Sequence, residues 1–182
     1  MRTLFTMDYK DYDSTWEHSK RDSARGIILF PKDTATNIYE DDKIALVYAK
    51  NFGYYKFPGG GIKNNENKIE ALIREVSEEV GLTVIPESVK EFGVVPRLQK
   101  SDKFKNTIFD QESFYYFCKV ENENHEQNLD AYELDAGYEL RIVSIKEAIE
   151  KNKMFKTQNL FDLIMIERDT KVLQKLIEIK TS

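Results

Sequence analysis

Residues 60–82 read Gly60-Gly61-Ile62-Lys63-Asn64-Asn65-Glu66-Asn67-Lys68-Ile69-Glu70-Ala71-Leu72-Ile73-Arg74-Glu75-Val76-Ser77-Glu78-Glu79-Val80-Gly81-Leu82. From Lys68 the apolar residues Ile69, Leu72, Ile73, Val76 and Val80 recur at spacings of three and four. That spacing predicts a helix with one apolar stripe, ending at Gly81 as a C′ glycine. At about 100° per residue Glu75 and Glu79 lie about 40° apart, with Glu78 about 100° further round, so three carboxylates share one side. Like charges at these spacings repel by a few tenths of a kcal/mol each, about the size of one helix-surface pair. Something must compensate.

Two readings of that acidic face compete. A solvated surface face is the ordinary one for a charged helix. A hard divalent cation, Mg²⁺ or Mn²⁺, is the functional one, because carboxylates without a nearby His or Cys suit oxygen-preferring ions. Context favours the cation. Pro58-Gly59-Gly60-Gly61 forces a change of direction and lets the backbone approach closely, and Arg74 offers a rigid fork that can tether an acid.

The same stretch resembles the Nudix hydrolase signature at all its defining positions. They are Gly60, Glu66, Arg74, Glu75, aliphatic Val76, Glu78, Glu79, Gly81 and aliphatic Leu82. Seven fixed identities, each with a frequency near 1 in 15, and two aliphatic positions arise by chance on the order of 10⁻⁹ per starting point. The lead-in Phe57-Pro58-Gly59-Gly60 also looks like that of the family. The resemblance implies an α+β fold, an α/β/α sandwich around a mixed β-sheet, with the motif as loop, helix and loop. It further implies divalent-metal-dependent hydrolysis of a nucleoside diphosphate linked to another group. By position, Glu75, Glu78 and Glu79 correspond to the metal-binding and catalytic carboxylates, and Gly60 to a backbone contributor to the metal site. Glu66, Arg74 and Gly81 correspond to structural positions. Contact between Glu66 and Arg74, eight residues apart, requires the loop to fold back over the helix.

Outside the motif, Ala24 to Phe30 and Lys43 to Ala49 are apolar runs that read as two strands joined across Pro31 to Asp42. Glu91 to Leu98, Ser113 to Val120 and Glu139 to Val143 read as further strands, Gln99 to Glu112 as a polar connection, and Glu121 to Tyr138 as a long acidic loop. Ser144-Ile145-Lys146-Glu147 is a capping pattern for a short helix to about Lys151, and Gln158 to Ile179 has the periodicity of a long one. Residues 1–22 are a polar arm carrying Phe5, Tyr9, Tyr12 and Trp16, expected to pack through those rings. The expected division is this arm, a hydrolase domain over 23–152, and a C-terminal segment over 153–182, packed on the domain or at a homodimer interface.

The 182 residues carry 27 Lys and Arg against 32 Asp and Glu, a formal charge of −5, and 41% are hydrophobic. One domain with a sizeable core fits that length. The acidic balance speaks against a stable nucleic-acid complex gripped by a basic surface, though not against a small nucleotide held through metals. No apolar run approaches the roughly 18 residues of a membrane helix, so no membrane association is expected. The start lacks a secretory pattern, and the single Cys118 cannot form an internal disulfide, which together predict a cytoplasmic location. His18 and His125 have no ligand-spaced partners, which argues against zinc.

The expected activity is cleavage of the diphosphate in a nucleotide sugar such as ADP-ribose. Alternatives are a nucleoside triphosphate pyrophosphatase that removes oxidised nucleotides, and a non-catalytic nucleotide- or RNA-binding module. Glu112, Glu126 and Glu133 are candidates for a general base outside the motif, with Glu112 the one carried as catalytic. Tyr54, Tyr55 and Phe57 are candidates to stack on a base, and Arg25, Arg97 and Lys100 to meet phosphates or a ribose.

Overall fold

The computed structural model describes residues 1–30 and 38–178. Its centre is a pair of antiparallel strands, β3 (Ser23–Phe30) and β4 (Lys43–Ala49), with Ile28 opposite Ala45. Of the predicted connection between them, residues 31–37 lie outside the described part, as does Ile179 at the predicted end of the last helix. Each strand is apolar on both sides because it serves two cores. Ala24, Ile28, Ala45 and Val47 face one cluster, whereas Ile27, Ile44, Leu46 and Tyr48 face the other.

The first cluster is closed by α1 (Lys68–Val80), whose Leu72, Val76 and Val80 are buried as the stripe predicts, with Ala71 beside them and Ile69 and Ile73 partly buried. The second is closed by α3 (Ile145–Met154) and α4 (Leu160–Glu178), through Ile145, Ala148, Ile149, Val172, Leu173 and Leu176. Helices on both faces of a mixed sheet make the α/β/α sandwich. In that sheet β3 runs parallel to β9 (Thr107–Phe117), which pairs antiparallel with β8 (Lys90–Lys100). On the other side, β4 pairs antiparallel with β11 (Tyr138–Ser144) and with the short β5 (Tyr54–Lys56). Gly59–Gly61 forms β6 on the edge of β3, with Gly59 opposite Arg25 and Gly61 opposite Ser23. Cys118 is buried, and burial pushes its thiol up to about 12.

Three expectations change. The polar connection Gln99 to Glu112 is mostly strand: β8 and β9 stay paired as far as Lys100 and Ile108, leaving 101–106 as the turn. Polarity concealed this hairpin because its inner face carries Arg97, Gln99 and Gln111, all buried. The acidic loop Glu121 to Tyr138 contains β10 (Val120–Asn124), paired with β7 (Leu82–Val84), and a short helix α2 (Ala131–Ala136). The N-terminal arm docks by backbone pairing in addition to a ring, Phe5, that packs against the second cluster. Met7–Asp8 (β1) adds to β8 and Glu17–Lys20 (β2) to β9, while Tyr9 stays exposed and Phe5 and Trp16 only half-buried.

Candidate active site

Helix α1 begins at Asn67, whose side chain accepts the Ile69 and Glu70 N–H groups while Glu70 accepts the Asn67 N–H. This capping box fixes where the turn ends and the helix starts. The helix stops at Gly81, whose φ of 65° is the left-handed region that glycine enters freely. Between these ends the acidic side is organised by one guanidinium. Arg74 holds Glu66 through both oxygens, Nε at 3.0 Å and Nη2 at 2.6 Å, so the loop does fold back over the helix. Its Nη2 also donates to the Gly61 carbonyl at 3.1 Å, and its Nη1 to Glu75 at 2.6 Å and Glu78 at 3.0 Å.

Glu66 also accepts the Lys63 N–H. The Arg74 hydrogen bonds, joined by that backbone N–H, hold its carboxyl at about 2, below the ordinary 4.5. A depressed folded value means that the unfolded chain takes up the proton first. The contribution to stability is therefore complete above about pH 4.5 and disappears as pH falls through about 2. Glu66→Gln is expected to flatten the fall in thermal stability across that window, measured by melting at stepped pH. An unchanged slope would assign the acid sensitivity elsewhere.

Glu79 is enclosed on the inner side of the helix. The Lys56 ammonium pairs with its Oε1, and the Gly59 N–H donates to its Oε2 at 2.8 Å. Burial pushes the carboxyls of both Glu75 and Glu79 up, opposed at Glu75 by Arg74 and at Glu79 by Lys56. Lys56, only 4% exposed and lying over the Tyr138 ring, was not among the expected site residues. A lone ammonium between Tyr55 and Phe57 in an aromatic run was the available signal.

A third carboxylate comes from outside the motif. The carbonyls at the end of α1 have no partners within the helix. The segment that follows β10 supplies them: the Asn128 N–H meets Glu78 O at 2.9 Å, the Gln127 amide meets Glu79 O, and the His125 N–H meets Gly81 O at 2.9 Å. This crossing delivers α2, and Glu133 in its first turn, to the acidic side. One oxygen each of Glu75, Glu79 and Glu133 lie within 4.8 Å of one another. Glu112, by contrast, is an exposed residue of β9, and Glu126 is exposed beside His125; neither joins the three. Glu78 is turned towards Arg74 and is also outside that group.

The donor chemistry fits a hard divalent ion, with three buried or half-buried carboxylates and no sulfur or imidazole among them. Lys56 balances the charge of Glu79 on one oxygen. A Cβ at Gly60 would sit 2.6 Å from the Glu75 carboxyl carbon and would displace that carboxylate.

The proposed recognition residues are placed differently. Tyr54, Tyr55 and Phe57 are in the two cores, packed against Phe155, Tyr48 and Tyr115 respectively, so none presents a free ring face for stacking. Arg25 and Arg97 are buried on the α4 side of the sheet, and Arg25 donates to the Gly59 carbonyl at 2.9 Å.

Residues 21–163 match the family model described as the NUDIX domain. The chain belongs to the Nudix family. It is 34% identical over 98 residues to an RNA pyrophosphohydrolase of Saccharophagus degradans, a match covering 48% of this chain and 56% of that protein. It is 32% identical over 91 residues to an 8-oxo-dGTP diphosphatase of Buchnera aphidicola, covering 43% of this chain and 68% of that protein. The chain thus spans little more than half the length of the first of these curated relatives. A solved MutT structure from work on Aliivibrio salmonicida and Vibrio cholerae is 16% identical, with 87% of this chain and 97% of that one covered at a TM-score of 0.48. Among the described residues no helix is long and apolar enough to cross a membrane.

Proposed function

We infer that the protein is a divalent-metal-dependent pyrophosphohydrolase acting on a nucleoside 5′-polyphosphate, placed ahead of ADP-ribose and other nucleotide sugars. The carrying observation is the convergence of Glu75, Glu79 and Glu133 beside Gly60. The order of substrates leans on the relatives, one named for 8-oxo-dGTP and one for RNA.

Glu75 and Glu79 would hold Mg²⁺ or Mn²⁺, with Glu78 beside them on Arg74 and Glu133 facing the same place. When bound, the ion neutralises phosphate oxygens and lowers the pKa of the attacking water. The chain's own part is placement and proton transfer. Arg74 fixes the direction of Glu75, and Lys56 and the Gly59 N–H fix that of Glu79. Glu133 enters on a separate element, and its carboxylate is the group assigned to take the water proton.

Glu133 is at the third position of its helix and accepts the Asp130 N–H at 2.8 Å. Gln can replace it in that cap, since either residue closes a capping box. Glu133→Gln should therefore keep the fold and lower turnover by about 10²-fold, in keeping with a lost acid–base group. Glu112→Gln should leave turnover unchanged. Comparable losses in the two variants, or none in Glu133→Gln, would overturn the assignment.

The substrate reading is tested with metal-replete protein on nucleoside triphosphates, oxidised triphosphates, triphosphate-ended RNA and ADP-ribose, with products identified. Release of a monophosphate-bearing product from the triphosphates is expected. Faster cleavage of ADP-ribose would reverse the order, and no cleavage of any would refute the reading.

A further inference from the structure

Across the sheet from α1 lies a group of buried charges that the hydrolytic site does not use. Arg25, Arg97 and Arg168 are each no more than 6% exposed and lie near one another between the sheet and α4. One buried carboxylate, Asp169, accompanies them, and it is fully committed. It accepts the Phe57 N–H at 3.0 Å, the Tyr115 hydroxyl at 2.7 Å and Arg168 Nε at 2.9 Å. Arg168 Nη1 turns to the neutral Ser113 hydroxyl at 3.2 Å. Among the described residues Arg97 hydrogen-bonds only to the Gln99 side-chain oxygen, at 2.8 and 2.6 Å, and lies over the face of Phe109. Among the described residues two nitrogens, Arg25 Nε and Arg168 Nη2, are buried with no hydrogen-bond partner.

Three guanidiniums share one buried carboxylate, with the exposed Asp102 acting on Arg97 from outside, which leaves the buried cluster positive. Guanidinium does not shed its proton at neutral pH: even Arg97, lowered by burial and by Arg168, stays near about 10. Buried charge without a partner is strongly unfavourable, and unpaired N–H groups add to the cost. A dianion with several acceptor oxygens would meet both deficits, and a phosphoryl group has that charge and that geometry. The cluster also adjoins the hydrolytic site, since Arg25 donates to the carbonyl of Gly59, whose N–H holds Glu79. At its outer edge is Tyr9, partly exposed, with Arg97 and Arg168 acting on its phenol and its hydroxyl directed to Glu167.

We propose that Arg25, Arg97 and Arg168 form a second phosphoryl-binding site, on the α4 side of the sheet and for an anion other than the substrate held at the carboxylates. Its existence does not rest on the hydrolytic reading. Tyr9 and the arm strand β1 are the elements that would move to admit it, since Met7 of β1 pairs with Arg97.

Inorganic phosphate is the probe, applied to the full chain with divalent metal chelated so that the hydrolytic site contributes nothing. Calorimetric titration should show one saturable site, and phosphate at about 100 times its Kd should raise Tm by about 5 °C. Phosphate also stabilises proteins non-specifically, so the decisive comparison is with Arg97→Met, which shares any such effect. The variant should lose the saturable part of the rise. In phosphate-free buffer it should melt at or above the wild-type temperature, because it relieves an excess of charge. Arg97→Lys, which keeps the charge and loses the fork, should bind about 10-fold more weakly and remains informative if Arg97→Met fails to fold.

Absence of saturable binding, or an unchanged Kd in the Lys variant, would overturn the proposal. So would equal phosphate shifts in wild type and Arg97→Met, or a destabilised Met variant in phosphate-free buffer. Phosphate binding without turnover would refute the hydrolytic reading alone, and turnover without phosphate binding the second site alone.

Discussion

Replacing Glu79 with Gln is expected to lower turnover by about 10³-fold, the range over which a positioned carboxylate acts, and to destabilise the protein at the same time. Gln keeps an oxygen for the Gly59 N–H but cannot neutralise Lys56, which has no water to turn to. Breaking a buried pair from one side costs about 3 kcal/mol, or about 6 to 12 °C in Tm for a chain of this size. Adding Lys56→Met should restore most of the stability, because removing both charges leaves no orphan. It should restore none of the turnover. Steady-state kinetics and melting of the single and double variants separate the two roles of Glu79. Recovery of activity in the double variant would make its role purely structural.

Gly59→Ala is the second large effect, and it should abolish activity through the fold. Gly59 has φ of 141°, and an added Cβ would lie 2.7 Å from Arg25 Cα and closer still to the Ala24 carbonyl oxygen. Those neighbours are backbone of the central strand and cannot give way. Strain and overpacking together should cost about 4 kcal/mol. Gly53→Ala is the control: φ is 87°, yet nothing lies within 4 Å of the new methyl. Its cost should be about 1 kcal/mol, the backbone contribution alone. Similar melting temperatures for the two variants would mean that the close approach of β6 to β3 is not what demands glycine at 59.

The motif helix was legible because two local signals agreed: an apolar stripe of period 3.6 and a glycine where the chain reverses. The two-sided core was legible in part, since Ala24 to Phe30 and Lys43 to Ala49 are apolar at nearly every position. What was hidden depends on partners far away in sequence. Gln99 and Gln111 look like loop residues until the paired strands bury them beside Arg97. Glu133 looked like one of several solvated acids until the end of α1 captured the segment before it. In hindsight Asp130-x-x-Glu133 followed by Gly137 was a readable helix, concealed by its six-residue length. Lys56 could not be interpreted without Glu79, 23 residues away.

Asp169 has a consequence for how the molecule transmits force. One carboxylate on the last helix grips the Phe57 amide, two residues from the Gly59 amide that aims Glu79. The reacting centre is thus cantilevered from a helix that begins about eighty residues after the motif ends. Disturbance anywhere along that helix should reach Glu79 as a change of aim before it is felt as a loss of fold. The exchange rate of the Phe57 amide proton is the gauge that would register it.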